Sequence, residues 1–332
     1  MTALIENLAK LGWLEKKTLP PSKDSRETRT IWSFLAHEVH SNYLTFVPSA
    51  YWSADWDEKS RLHIQEEVIS RLNQAKDLDL MLAFGTWAGL DLANNRHSIP
   101  TMVLSASDAV QAGIIPSALD SGLDHIHAKV DPTRVERQIR LFHSIAGFKK
   151  LGVAFKDTPD GRTYAGIADI KRIAGELGFE LMECPFPRQP ANSQEEKNRL
   201  LQCHQKLAPR IDAFYLTEQY GINFNNLPVL LAPFFNYKIP SFSQGRTGEA
   251  RYGVLMALAR QDFQREGEFY AQTLACILNG VKPRNLPQIM EEPLEIAINL
   301  ASARKIGFRF PLDILAGARE IYEVIESPPH PD

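Results

Sequence analysis

The chain has 332 residues, 44% of them hydrophobic, and a formal net charge of −3 at neutral pH. This length can bury one large core or two moderate ones, while the near-neutral charge gives no support to a nucleic-acid or membrane-surface role. No apolar run approaches the ~20 residues that a transmembrane helix needs.

Three cysteines stand far apart in the sequence, at Cys184, Cys203 and Cys276. An odd number without metal-ligand spacing predicts neither a disulfide framework nor a zinc site. A single disulfide pair remains an alternative. The favoured interpretation is three small buried hydrophobic residues.

The first part of the chain predicts two helices and a strand. Residues 4–11 carry leucines at helical spacing, and apolar residues over 64–72 predict a second helix. Residues 43–47 are typical of a strand. The aromatic segment 51–56 follows this strand.

Residues 78–115 are the most informative stretch. A continuous apolar run at 80–84 predicts a strand covered on both faces, and 101–104 predicts its neighbour. Thr86 is expected to cap the helix between them, while Ser107 and Asp108 follow the second strand. Open α/β sheets bind ligands at the carboxyl ends of their strands. These polar residues are therefore candidate ligand contacts.

The rest of the chain predicts a second series of strands and helices. Asp131-Pro132 is typical of a helix start, Ser193 with Glu196 is typical of a capping box, and Phe263 is expected to face inward on a late helix. The further predicted strands are 125–130, 151–155, 179–182, 213–216, 239–243, 252–259 and 296–298. Alternating strands and helices predict parallel sheets, and two series of ordinary domain size predict two α/β lobes.

Several residues have a structural interpretation beside the functional one. The Gly85-Thr86 turn is either a ligand contact or a structural cap, and it lacks the spacing of dinucleotide- and phosphate-binding loops. His125 and His127 alternate on a strand and could share a metal ion, but surface or hinge histidines are the simpler interpretation.

Two larger sets are open in the same way. Carboxylates near strand ends or helix starts are either catalytic acids and bases or helix caps: Asp108, Asp157, Glu218 and Asp262. Aromatic residues near predicted strand ends are either core residues or the walls of a pocket for a flat apolar ligand: Tyr51, Trp52, Trp56 and Trp87.

Six segments, taken in order, resemble the motifs of one protein family. They are 83–88 (AFGTWA), 99–103 (IPTMV), 107–113 (SDAVQAG), 212–218 (DAFYLTE), 238–240 (KIP) and 298–307 (INLASARKIG). Together they resemble the ABC-transporter substrate-binding proteins of the type I periplasmic-binding-protein fold. The most similar group is the one that includes binders of tryptophan and other aromatic compounds.

This resemblance implies two doubly wound parallel-sheet α/β lobes joined by a three-crossover hinge. The first lobe is expected to comprise 1–130 with 260–286, and the second 131–259 with 287–332. The helix over 262–279 would then return to the first lobe. By position, the resemblance together with the strand-end argument assigns ligand binding to one set of residues: Thr86, Trp87, Ser107, Asp108, Asp157, Tyr164, Thr217, Glu218 and Gln244. No cofactor and no metal ion is expected.

Some residues depart from the family pattern. Trp87 stands where a small residue or proline is common, Ala109 replaces a proline, and Glu218 stands where an aspartate is usual. The family's first strand and export signal are not seen, so the chain resembles a member cut within or just before its first helix. The resemblance implies a periplasmic or extracytoplasmic location.

The expected function is that of a solute-binding protein of an ABC importer. The two lobes would close on a small molecule, for which an aromatic amino acid or aromatic carboxylate is the favoured class. The expected partner is the membrane permease of the transporter, with no nucleic acid, and the chain is expected to be a monomer. A ligand-sensing domain of a regulatory system is the alternative. An enzyme is disfavoured because no catalytic constellation is visible.

Overall fold

The computed structural model describes residues 1–20, 28–55, 57–187, 193–217, 221–245, 248–258 and 263–327. Its helices are α1 (Thr2–Lys10), α2 (Thr28–Glu38), α3 (Glu58–Gln74), α4 (Thr86–Leu92), α5 (Arg134–Ala146), α6 (Pro159–Tyr164), α7 (Ile167–Leu177), α8 (Ser193–Leu207), α9 (Leu227–Asn236), α10 (Gln264–Leu278), α11 (Leu300–Ile306) and α12 (Leu312–Gly317). Its strands are β1 (Met81–Phe84), β2 (Thr101–Leu104), β3 (Ile126–Ala128), β4 (Lys150–Lys156), β5 (Glu180–Phe186), β6 (Ala213–Leu216), β7 (Ser241–Ser243), β8 (Met256–Leu258), β9 (Ile296–Asn299) and β10 (Glu320–Tyr322).

The chain divides into two compact units. Unit 1 comprises Met1–Asp131 and Asp262–Met290, and unit 2 comprises Pro132–Gln261 and Glu291–Asp332. The backbone therefore passes from one unit to the other three times. Among the described residues, no helix is both long and apolar enough to cross a membrane.

Unit 1 is built on a parallel sheet in the order β1-β2-β3. Successive side chains of β2 point to opposite faces, as a strand requires. Met102 and Leu104 pack with α1 and α10, whereas Val103 packs with α3 and α4. Every residue of β2 is therefore buried, which explains its continuous apolar run.

Unit 2 is built on a seven-stranded sheet in the order β10-β9-β8-β7-β6-β4-β5. All its strand pairs are parallel except β8 with β9, which is antiparallel. Chain order reverses at β4, because β5 lies on one side of it and β6 on the other. In a doubly wound sheet such a reversal creates the crevice where ligands bind. The two-lobed α/β fold class predicted from the sequence is confirmed.

A disulfide joins Cys184 on β5 to Cys203 on α8, whereas Cys276 on α10 is a free thiol. The favoured interpretation of all three cysteines as small hydrophobic residues was therefore wrong. Both partners are buried and lie 19 residues apart. Their proximity results from packing α8 across β5 and is not visible in the sequence.

The predicted strand at 43–47 is absent, and the segment is irregular instead. The hydroxyl of Ser41 accepts hydrogen bonds from the N–H groups of Tyr43 and Leu44, and the indole N–H of Trp32 donates to the carbonyl of Val47 at 3.1 Å. Side chains thus occupy backbone groups that a ladder would need. α2, which carries Trp32, was not predicted.

Other element ends differ from the prediction for local reasons. Helix α5 begins at Arg134 after the N-cap Thr133, not at Asp131-Pro132, because the backbone of Val130 is still paired with Gln288 and Met290. Residue 259 of the strand predicted over 252–259 lies outside the described residues, and the described part is strand only at β8, since Gly253 adopts a φ of +111°. Phe263 is exposed, not inward-facing, because it occupies the N-cap of α10.

Candidate functional site

In unit 1, the carboxyl ends of β1 and β2 are tied together through Thr86. Gly85 has a φ of +91°, which a residue with a Cβ adopts with difficulty, and it forms the N-cap of α4. Thr86 is therefore not the cap that the sequence predicted. Its buried hydroxyl accepts a hydrogen bond from the N–H of Ser107 at 3.3 Å. This hydrogen bond fixes the turn after β1 against the turn after β2.

Trp87, the next residue of α4, is partly buried beneath a fixed cation. The guanidinium of Arg61 lies 4.9 Å from the centre of the indole. Asp91 holds that guanidinium through a paired contact with a shortest distance of 2.7 Å. One face of the indole is thus covered by a cation.

Ser107 and Asp108 follow β2 in different environments. Ser107 is exposed, whereas the carboxylate of Asp108 accepts from the N–H groups of Val110 and Gln111 at 2.9 and 2.8 Å. Asp108 therefore stabilises the turn after it, which is a structural role, although a turn and not a helix follows this carboxylate.

In unit 2, the predicted residues at the ends of β4 and β6 are unequal in exposure. Thr217 is buried, and its hydroxyl donates to the carbonyl of Ala154 at 2.7 Å, linking these two strands. Asp157 is exposed and pairs with Arg162. Glu218 lies outside the described residues.

Gln244 fixes the end of α6. Its buried side-chain amide donates to the backbone carbonyl of Tyr164 at 2.9 Å. The backbone carbonyl of Gln244 accepts a hydrogen bond from the guanidinium of Arg134 at 2.9 Å. The structure thus brings the predicted residues Tyr164 and Gln244 together. Gln244 acts on the backbone of Tyr164, whose side chain is partly exposed.

An ion pair that the sequence did not predict lies at the same edge of the unit 2 sheet. Lys156, the last residue of β4, lies 3.3 Å from Glu196, which is 5% exposed. Glu196 also accepts the N–H of Gly221 at 3.2 Å. The side chain of Ser193 lies outside the described residues, so the capping box of Ser193 with Glu196 stays a prediction. The feature of the sequence that could have indicated this ion pair is a lysine at the end of a predicted strand.

The remaining aromatic candidates have structural partners. Arg29 covers the ring of Tyr51, and Arg71 covers Trp52, whose indole N–H donates to Glu67 at 2.7 Å. In the described residues before them, 1–20 and 28–50, there is no strand, and the strand predicted over 43–47 is irregular, so their expected place beside that strand end was wrong. Trp56 lies outside the described residues.

The two histidines are engaged separately. Nε2 of His127 donates to the carbonyl of Pro287, and Nε2 of His125 to that of Asn94. Burial lowers the pKa of the His127 imidazole. Within the described ranges, no three His, Cys, Asp or Glu side chains are placed to hold a metal ion.

Comparison with known proteins identifies the family. The model of the ABC transporter substrate binding protein family matches residues 52–322, well over half of the chain. The chain therefore belongs to this family, and it is a substrate-binding protein of the ABC type. A search of curated proteins finds no match.

Solved structures give the same fold. The chain is similar to the ABC domain from Streptococcus pneumonia in complex with L-Trp, with a TM-score of 0.67 and 16% identity over 96% of this chain and 93% of that one. It is similar to a conserved domain protein from Vibrio cholerae, with a TM-score of 0.66 and 18% identity over 96% and 93%. It is also similar to the ligand-free, open form of a substrate-binding protein with adhesive properties from Clostridium difficile, with a TM-score of 0.63 and 18% identity over 96% and 92%.

Proposed function

We propose that this chain is the solute-binding protein of an ABC importer and carries an aromatic amino acid or aromatic carboxylate to a membrane permease. The observation that carries the proposal is the group of polar residues at the carboxyl ends of parallel strands in both units. In unit 2 this edge includes the reversal of chain order at β4. Family membership supports a function in binding and releasing a small molecule without changing it chemically.

The candidate residues divide into two roles by exposure. Ser107 and Asp157 are exposed, and Trp87, Asp108 and Tyr164 are partly exposed, so these would contact the ligand. Three buried residues would set the shape of the loops through the hydrogen bonds described above: Thr86, Thr217 and Gln244. Glu218 belongs to the proposed contacts by its position after β6.

An aromatic ligand is favoured by Trp87. A partly buried indole with one face stacked on a cation has little rotational freedom, so it presents a preorganised apolar surface. Ser107 is an exposed residue, and its hydroxyl suits a carboxylate. The neighbouring structure with L-Trp is consistent with this class.

The disulfide between Cys184 and Cys203 supports an extracytoplasmic location, because disulfides persist in oxidising compartments. The proposed partner, a membrane permease, would be met there. We propose that the chain acts as a monomer. Light scattering coupled to gel filtration tests this.

Native mass spectrometry of the purified protein, followed by a thermal-shift screen, tests the function. The screen uses L-tryptophan, L-phenylalanine, indole-3-acetate and benzoate against glutamine and ribose. A ligand present at 100 times its Kd adds about 2.7 kcal/mol to the free energy of unfolding. A retained aromatic mass, or a shift with aromatic compounds alone, supports the proposal. A flat screen without a retained mass contradicts it.

Trp87→Ala tests the aromatic contact, with Trp52→Ala as its matched control. Both indoles are partly buried and stacked on an arginine, Arg61 and Arg71 respectively. Loss of either cation–π contact costs a similar ~0.5–1 kcal/mol of stability. Of these two variants, Trp87→Ala should weaken ligand binding and Trp52→Ala should not. Equal Kd values for the two variants would show that Trp87 does not contact the ligand. Glu218→Ala should also weaken binding.

A further inference from the structure

Ser105, the residue after β2, has a backbone conformation that needs support. Its φ is +57°, in the left-handed region that is unfavourable for a residue with a Cβ. Its side chain is exposed, and it stands two residues before Ser107. Strained backbone of this kind persists where the surrounding structure holds it, and it clusters at ligand sites.

The support comes from α10, far away in the sequence. The N–H of Ser105 donates to the hydroxyl of Tyr270 at 3.1 Å, across 165 residues. Tyr270 is 5% exposed and packs with Met102 and Leu104 of β2. Its ring is therefore fixed by the core, and only its hydroxyl reaches the strand end.

A buried ion pair orients that hydroxyl. Tyr270 donates to Oε1 of Glu266 at 3.0 Å, one helical turn earlier on α10. The same oxygen lies 3.0 Å from Nζ of Lys129, the residue that follows β3. Lys129 and Glu266 are each only 8% exposed. Because the hydroxyl hydrogen is directed to the carboxylate, the lone pairs of the oxygen remain for the N–H of Ser105.

We infer that Tyr270 is a positioning residue for the ligand loop of unit 1. Its hydroxyl, oriented by the Lys129–Glu266 pair, holds Ser105 in the left-handed conformation. That conformation sets the direction of the loop through Ser107, whose N–H is fixed in turn on Thr86. The inference rests on the proposed function, in which this loop contacts the ligand.

Hydrogen–deuterium exchange of the full chain at single-residue resolution tests the inference without any ligand. In Tyr270→Phe, exchange at the Ser105 amide should be about tenfold faster, since one hydrogen bond is lost. Exchange at Met102, inside β2, should change much less. Tyr252→Phe is the matched control, because Tyr252 is a tyrosine of unit 2 at 8% exposure, and it should leave Ser105 unchanged.

Two outcomes would overturn the inference. One is an unchanged rate at Ser105, and the other is an equal acceleration throughout unit 1, which would make Tyr270 a purely structural residue. The double variant Lys129→Met with Glu266→Gln keeps the hydroxyl of Tyr270 and removes both charges together, so neither member of the ion pair is left buried alone. It weakens the orientation of the hydroxyl and should give a smaller acceleration at Ser105 than Tyr270→Phe, and it decides the question if Tyr270→Phe does not fold.

Binding is measured separately, with L-tryptophan as the probe. Tyr270→Phe should raise the dissociation rate about fivefold, while its midpoint of urea unfolding stays close to that of Tyr252→Phe. An unchanged dissociation rate would refute the link to the ligand. If L-tryptophan does not bind the wild type, the proposed aromatic ligand is in question, and the exchange result still decides the role of Tyr270.

Discussion

Removing the disulfide of unit 2 should lower its stability by a calculable amount. The bridge between Cys184 and Cys203 closes a loop with a sequence separation of 19 residues. In the chain-entropy description, closing a loop of this length lowers the entropy of the unfolded state, which adds about 3 kcal/mol to the free energy of unfolding. For domains of roughly 150–250 residues, 1 kcal/mol corresponds to about 2–4 °C in Tm. The variant C184S/C203S should therefore lose about 6–12 °C.

The assay is differential scanning calorimetry with a thiol titration in denaturant. Cys276→Ser is the control, because it removes a thiol from unit 1 without opening a crosslink. It should leave the unit 2 transition unchanged. The oxidised wild type should show one reactive thiol after unfolding. Three reactive thiols in wild type purified without reductant, or a Tm unchanged in C184S/C203S, would refute the reasoning.

Three further predictions concern unit 2. Gly161→Ala should cost about 1–3 kcal/mol in urea unfolding, because the new Cβ would overlap the carbonyl oxygen of Lys156. Its matched control is Gly175→Ala, at an exposed position of α7 where a Cβ meets open space, and this variant should instead stabilise by about 0.5–1 kcal/mol. Burial lowers the pKa of the His204 imidazole from 6.5 to about 4. As the pH falls, the unfolded chain therefore binds a proton at this histidine before the folded chain does. The free energy of unfolding should then fall by up to about 1.4 kcal/mol per pH unit between pH 6.5 and pH 4. Urea titrations at several pH values measure this dependence, and it should be weaker in His204→Phe. Lys156→Met should lower the free energy of unfolding by about 3 kcal/mol, since it leaves Glu196 buried without its cation. A change near zero would show that this ion pair does not stabilise the fold.

The positions of the candidate residues followed from local patterns. A continuous apolar run predicts a doubly covered strand, and the polar residues after it must lie at the carboxyl edge of the sheet. Thr86, Ser107 and Thr217 were placed at strand ends by this argument, and the structure has them there. Ligand contact by these residues stays a proposal.

The roles of those residues could not be predicted in the same way. Thr86 looked like a cap, yet Gly85 occupies that position and the hydroxyl of Thr86 serves the turn after β2. Thr217 and Gln244 were predicted as ligand contacts, which stays a prediction, and the structure adds a hydrogen bond from each side chain to a backbone carbonyl within unit 2. A polar side chain can form hydrogen bonds only with the groups that the fold brings near it. The sequence shows which side chain is present but not which groups surround it.

The sequence by itself determined which segments are buried and whether their apolar residues repeat with the period of a helix or of a strand. Apolar runs and helical spacing specify which segments are strands and helices, because each residue's preference for water acts locally along the chain. The motifs resembling a family added the three crossovers that join the two predicted lobes. These features include β1, β2, β4, β6, α3 and α10.

What only the tertiary structure decided was the pairing of distant groups. The disulfide of Cys184 with Cys203, the antiparallel β9 and the bond from Ser105 to Tyr270 join segments whose sequences carry no mark of each other. The irregular segment at 43–47 shows the reverse case, in which side-chain hydrogen bonds replaced a strand that the composition favours. Such contacts depend on distance in space, which is set when the whole core packs and not by any local pattern.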